Sequence, residues 1–178
     1  MISKDIHIVY MLGIGGIGMS ALARWFKANG YEVAGYDRTP TPLTDQLRGE
    51  GINIHFEDEP KLIPHHIIHH PDQALIIYTP AIPPEHNEKN FLIEKGFRLH
   101  KRSAVLGELS KQHQTLAVAG THGKTTTSAF LGHIIHESGI PCTALLGGIV
   151  KNYNSNFIFN KGNDSLMIAE ADEYDHSF

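Results

Sequence analysis

The residues best equipped for chemistry fall in two glycine-rich clusters and one acidic stretch. Gly120-Thr121-His122-Gly123-Lys124-Thr125-Thr126 closes on Gly-Lys-Thr. In such a loop backbone N–H groups cradle phosphates, a lysine such as Lys124 puts a point charge on the β/γ oxygens, and a hydroxyl such as that of Thr125 ligates Mg2+. The loop is a short form, because the general pattern wants a glycine five residues before Gly123 and this chain has Val118 there. A strand-like stretch before it and an amphipathic one after it give the setting of an ATP site. Lys124 is the first candidate catalytic residue. His122, inside the same loop, is the second, as a donor to a phosphate or to a substrate carboxylate.

The acidic stretch Glu170-Ala171-Asp172-Glu173-Tyr174-Asp175 follows strand-like residues 166–169. Mg2+ takes one or two carboxylates plus phosphate oxygens, and a carboxylate at the C-terminal end of a strand beside the phosphate-loop strand is placed to supply one. Glu170, first after the strand, is the expected ligand together with Thr125.

The other cluster, Gly13-Ile14-Gly15-Gly16-Ile17-Gly18, matches G-x-G-x-x-G between a strand-like and a helix-like stretch. The first glycine permits the tight turn, the second the approach of a diphosphate, and the third close helix packing. Exposed N–H groups at the helix start favour an anion there. Asp37, at the end of the next strand, is where a carboxylate would meet a ribose hydroxyl. NAD, FAD and UDP-sugars all present a diphosphate and a ribose, so this loop leaves redox chemistry and sugar-nucleotide binding both open.

These loops need elements to position them. Strand-like residues 6–12, 31–36, 52–56, 75–79 and 97–99 alternate with helix-like residues 17–29, 43–50 and 85–94, the order of a parallel sheet covered by helices. Gly30 sits where a helix ends. After a helix-like stretch, 103–111, a second unit shows strands at 115–119 and 166–169 around a helix at 125–138, in which Phe130/Ile134 and Leu131/Ile135 fall in i,i+4 register. The expected fold is therefore α/β: a Rossmann-like parallel sheet domain, 1–110, followed by the beginning of a P-loop α/β ATPase domain, 111–178, with the polar residues 110–114 at the boundary. Small sheets bury helices poorly, and the second unit supplies about three strands where four or more are usual, so a fragment of a longer chain is expected.

Composition closes other classes. With 15 Lys+Arg against 19 Asp+Glu over 178 residues the net charge is −4, which argues against a nucleic-acid-coating surface. The apolar run 6–12 is too short to enter and cross a bilayer. One cysteine, Cys142, forms no intramolecular disulfide, which fits a cytoplasmic setting. His65-His66 and His69-His70 have zinc-compatible spacing if helical, but Pro64 and Pro71 leave only six residues between them, so a surface turn is expected.

Taken in order and spacing, Gly-Ile-Gly-Gly-Ile-Gly-Met-Ser-Ala-Leu-Ala at 13–23, Gly-Thr-His-Gly-Lys-Thr-Thr-Thr at 120–127 and Glu-Ala-Asp-Glu-Tyr-Asp at 170–175 resemble the Mur ligases. Tyr78-Thr79-Pro80-Ala81-Ile82 adds to the likeness. The resemblance implies an N-terminal UDP-binding domain, a central ATPase domain and a C-terminal domain, of which this chain holds the first and the opening of the second. It implies that Gly13, Gly15, Gly16, Ile17 and Gly18 face the UDP diphosphate, with Asp37, Thr79, Pro80, Ala81 and Ile82 near the uridine. Gly120, Thr121, His122, Gly123, Lys124, Thr125 and Thr126 would serve ATP, and Thr125 and Glu170 Mg2+. The implied reaction is ATP-dependent joining of L-alanine to the carboxylate of UDP-N-acetylmuramate through an acyl phosphate. Rival expectations are a ligase that adds a tripeptide to the same sugar nucleotide, a nicotinamide oxidoreductase in which Lys124 and Glu170 have no role, and a non-catalytic UDP-sugar-binding module.

Overall fold

The structure, a computed structural model, describes residues 5–162 and 165–171. The chain divides into two compact units, Met1–Arg102 and Ser103–Phe178.

The first unit runs β1 (Ile8–Leu12), α1 (Ile17–Ala28), β2 (Glu32–Tyr36), α2 (Pro42–Gly49), β3 (Asn53–His55), α3 (His65–His69), β4 (Ala74–Tyr78), α4 (Asn87–Glu94) and β5 (Leu99–Lys101). The strands form one parallel sheet in the order β3-β2-β1-β4-β5. All five residues of β1 are buried, as expected of a strand covered on both faces. Tyr10, Leu12, Tyr36 and Ile76 pack on one face with Ile63, Ile67, Leu92 and Phe97. Helix α1 buries Met19 to Phe26 and packs on β1 and β2.

Local chemistry sets the helix ends. Thr41 caps α2 by accepting from the Thr44 amide while the Thr44 hydroxyl accepts from the Thr41 amide, with Pro42 in the first turn. At the end of α4, Gly96 takes a left-handed φ of 85°, donates to Ile93 O, and Phe97 N donates to Leu92 O. This closure folds Phe97 back into the core, so β5 starts at Leu99 rather than at 97 as the apolar pattern suggests. The His65–His69 stretch forms a short helix rather than a bare turn, because Ile67 between the histidines is drawn fully into the core.

Helix α5 (Arg102–Gln112) begins at the division between the units, ahead of the polar residues 110–114. The second unit continues with β6 (Thr115–Val118), α6 (Lys124–Glu137), β7 (Cys142–Val150), β8 (Ser155–Asn160) and β9 (Leu166–Glu170). Its sheet is mixed, in the order β6-β9-β7-β8, with β6 and β7 parallel to β9 and β8 antiparallel to β7. The sequence reading did not place the β7–β8 hairpin, since Gly147-Gly148 inside β7 reads as a turn. In the structure these glycines fall where the β7–β8 register shifts between Leu145 and Val150.

The two i,i+4 pairs of α6 separate. Leu131 and Ile135 pack against Cys142, Ala144, Ile158 and Ile168, whereas Phe130 and Ile134 are 65% and 63% exposed. At Gly132 the helix lies close on the sheet, where an added Cβ would lie 2.9 Å from the Ala144 Cβ. Among the described residues no helix is long and apolar enough to cross a membrane.

Candidate functional site

In the first unit the parallel register decides what meets. Leu12 pairs with both Tyr36 and Tyr78, so the residues that follow, Gly13, Asp37 and Thr79, emerge side by side at the C-terminal edge of the sheet. The strand order turns outward from β1 in both directions there, and such a switch point opens a crevice between neighbouring loops.

The glycines are sites of close approach. A Cβ on Gly13 would lie 2.5 Å from Thr79 Cγ2, and one on Gly15 would lie 2.8 Å from Asp37 Oδ2. Asp37 itself accepts from the Gly15 amide through Oδ2 at 2.7 Å and from the Thr39 amide through Oδ1 at 3.1 Å. The carboxylate expected near a ribose is thus also a brace of the glycine loop. Across the crevice, Thr79, Pro80, Ala81 and Ile82 form a turn closed by Ile82 N donating to Thr79 O at 3.1 Å, with Ile82 buried.

Gly16, the residue before α1, brings no side-chain cap, and the first turn, which contains Ile17 and Gly18, has no acidic residue. The positive end of the helix dipole is therefore available to an anion. The Arg102 guanidinium lies against Gly18, where an added Cβ would stand 3.0 Å from its Nη1. The sequence offered no sign of this cation beside the loop.

In the second unit Val118 pairs with Glu170, so the phosphate loop and the acidic residue leave adjacent strands at the same level. Gly120 (φ 142°) and Gly123 (φ 76°) hold the loop in conformations that favour glycine. Lys124 Nζ donates to Gly120 O at 2.7 Å, which folds the ammonium across the loop. Thr121, His122 and Thr126 are exposed around it.

Thr125 Oγ1 donates to Glu170 Oε2 at 3.1 Å, and the Gly147 amide donates to Glu170 Oε1 at 2.8 Å. A hydroxyl and a carboxylate at the mouth of a phosphate loop are hard oxygen donors, and few in number, which suits Mg2+ completed by phosphate oxygens. Among the described residues no group of three or more His, Cys, Asp or Glu could hold a metal by itself. Asp172, Glu173, Tyr174 and Asp175 of the acidic stretch lie outside the described residues. Beside Thr125 and Thr126 opens a cleft of about 550 Å³ lined by Phe130, Ile149 and Lys151. The sequence reading did not find Gly147, because a glycine amide in a strand has no motif of its own.

A doubly wound sheet with a glycine-rich loop at its switch point, followed in the chain by a second sheet whose first strand leads into another glycine-rich loop beside Glu170, defines a two-unit α/β protein. Residues 8–114 match the Mur ligase family, catalytic domain, and the chain belongs to the Mur ligase family. It is 55% identical over 175 residues to the UDP-N-acetylmuramate–L-alanine ligase of Cytophaga hutchinsonii, covering 97% of this chain and 37% of that protein. The enzyme of the same name from Flavobacterium johnsoniae is 53% identical over 98% of this chain and 38% of its own length. The chain thus spans a little over a third of these curated relatives.

Among solved structures, the UDP-N-acetylmuramate-alanine ligase of Thermotoga maritima matches with a TM-score of 0.79 at 30% identity, over 91% of this chain and 36% of that one. A UDP-N-acetylmuramate:L-alanyl-gamma-D-glutamyl-meso-diaminopimelate ligase from Neisseria meningitides matches with a TM-score of 0.82 at 26% identity, over 96% of this chain and 54% of that one.

Proposed function

We propose that this chain is the nucleotide-binding portion of an ATP-dependent ligase that joins L-alanine to the carboxylate of UDP-N-acetylmuramate, a step of peptidoglycan precursor synthesis in the cytoplasm. The observation that carries the reading is the Thr125–Glu170 contact at the phosphate loop, in a chain whose first unit bears a separate glycine loop braced by Asp37. A nicotinamide oxidoreductase has no use for the phosphate loop and its apposed carboxylate, Lys124 and Glu170.

In this reading residues 1–110 bind the sugar nucleotide and residues 111–178 contribute to ATP binding. Gly13, Gly15, Gly16, Ile17 and Gly18 present backbone and a helix terminus to the diphosphate, while Asp37 and the Thr79–Ile82 turn flank the uridine. UDP is a handle whose binding energy orients the remote carboxylate.

A carboxylate is a poor acyl donor until it becomes an acyl phosphate. Lys124, swinging from Gly120 O to the γ-phosphoryl oxygens, offsets their charge as the substrate carboxylate oxygen attacks the γ-phosphorus, the bond to the β,γ-bridging oxygen breaks and ADP leaves, while His122 donates to a phosphate or to that carboxylate. The amine of L-alanine then attacks the acyl carbon, and inorganic phosphate leaves. Mg2+, held by Thr125 and Glu170, would supply further neutralisation of the phosphate oxygens.

The test is ligand-induced stabilisation of this chain. UDP-N-acetylmuramate and ATP with Mg2+ should each raise the melting temperature and NADH should not; equal stabilisation by NADH would refute the assignment. The structural likeness to a ligase acting on L-alanyl-γ-D-glutamyl-meso-diaminopimelate favours a second reading, in which the amino component is a tripeptide. The L-alanine reading has the support of relatives at 55% and 53% identity.

A further inference from the structure

We infer that Gly147 is a positioning residue for the Glu170 carboxylate, and that its lack of a side chain, rather than any turn, is what the site requires. The inference rests on the reading of Glu170 as a Mg2+ ligand.

Strand β7 pairs with β9 as far as Leu145 and Ala169. Beyond that point the Gly147 amide turns to the side chain of Glu170 and donates to Oε1 at 2.8 Å. Thr125, on α6, donates to the other oxygen, Oε2, at 3.1 Å. Two donors from two different elements therefore hold the two oxygens of one carboxylate. Without them a glutamate at a strand end would sample several rotamers, and each would have to be frozen out when a metal binds.

The space at Gly147 is shaped to the same carboxylate. A Cβ there would lie 2.6 Å from Glu170 Oε2 and 3.1 Å from Oε1 and Cδ, below van der Waals contact. Gly147 is not among the glycines with positive φ, so its backbone conformation is open to any residue. Glycine is needed there for the approach of Glu170 alone. The adjacent Gly148 extends the pattern, since its added Cβ would stand 3.0 Å from Thr125 Cγ2. Strand β7 is thus the wall that holds the Glu170 carboxylate and leaves room for Thr125.

The experiment titrates Mn2+, as a spectroscopic substitute for Mg2+, into the chain with a non-hydrolysable ATP analogue and follows it by electron paramagnetic resonance. Gly147→Ala should weaken Mn2+ about tenfold, the lower range for loss of an outer partner of a metal ligand, with nucleotide binding in EDTA unchanged. Adding Glu170→Asp to Gly147→Ala should recover part of that loss, because the shorter carboxylate recoils from the new methyl group, although Glu170→Asp alone weakens Mn2+. Unchanged Mn2+ affinity in Gly147→Ala, or strictly additive losses in the double variant, overturns the inference while leaving Glu170 as a ligand. Unchanged affinity in Glu170→Gln overturns the ligand reading itself and the inference with it. A readout that needs no change at position 147 is the Gly147 amide proton, which should sit downfield in the native chain and move upfield in Glu170→Ala; an unmoved resonance also overturns the inference.

Discussion

Asp37 accepts a hydrogen bond from the Gly15 amide at 2.7 Å, tying the end of β2 to the middle of the glycine loop. The loop's second glycine is thereby hemmed in, with Thr44 Cγ2 and Asp37 Oδ2 where a Cβ would stand. The brace makes the loop sensitive to any side chain at Gly15.

Gly15→Asp should therefore abolish stabilisation by UDP-N-acetylmuramate. The new Cβ would lie 2.7 Å from Thr44 Cγ2 and 2.8 Å from Asp37 Oδ2, and the added carboxylate repels both Asp37 and a diphosphate. A retained melting shift with the sugar nucleotide in this variant would place the ligand elsewhere.

Lys124→Ala removes a cation that donates to a loop carbonyl, Gly120 O. Folding should be nearly unaffected, whereas ATP with Mg2+ should bind at least about tenfold more weakly, ~1.4 kcal/mol, by calorimetry. Equal affinity for ATP in this variant would remove Lys124 from the phosphate site.

A pH prediction comes from the buried group Tyr10, His55 and Glu88. The His55 Nδ1 lies 3.0 Å from Glu57 O, an acceptor only, so Nδ1 carries hydrogen. The Tyr10 hydroxyl lies 2.8 Å from His55 Nε2 and 2.6 Å from Glu88 Oε2, and its one hydrogen cannot serve a bare nitrogen and an ionised carboxylate together. One further proton must sit on Glu88 or His55. Burial raises the Glu88 carboxyl from 4.5 to about 7, against the pull of the Tyr10 and Glu59 donors, and burial lowers His55, so the proton belongs to Glu88.

Because the folded pKa is raised, the folded chain binds a proton that the unfolded chain has already released. This contribution to stability is complete below about 4.5 and is lost as the pH rises through about 7. Glu88→Gln supplies a permanent N–H toward Tyr10. Its stability relative to the native chain should rise between these limits by an amount on the order of 3 kcal/mol, measured by urea unfolding across the range. A constant difference across that range would show Glu88 ionised in the fold.

Gly132→Ala improves intrinsic helix propensity by about 1 kcal/mol. Here it should nevertheless destabilise the second unit by about 1–2 kcal/mol, because its Cβ would meet the Ala144 Cβ at 2.9 Å on a rigid strand. Ala144→Gly in the same chain should relieve the clash, and denaturant titration of the single and double variants reads both effects.

Much of this protein was legible residue by residue. The alternation of apolar strands with amphipathic helices, the turns at the helix ends and the two glycine loops are local patterns, set by side-chain period and backbone freedom, and each is found within a residue or two of its place. What the pattern could not carry was the meeting of parts distant in the chain. The hairpin of β7 and β8 was hidden because its Gly-Gly reads locally as a turn, and only the opposing Glu170 and Thr125 explain the absence of side chains there. Likewise the outward turn of Phe130 and Ile134, and the choice of Leu131 and Ile135 for the core, depended on where Gly132 met the sheet.

Residue types and spacing by themselves determined that the chain folds as two α/β units, each with a glycine-rich loop between a strand and a helix, because these are properties of short segments. Tertiary structure alone decided which groups stand within bonding distance: Asp37 on Gly15, Glu170 between Thr125 and Gly147, and Tyr10 between His55 and Glu88. The reason is physical. Strand register and sheet order are fixed by burial summed over the whole sheet, and a hydrogen bond between residues far apart in sequence exists only after that sum has chosen one arrangement.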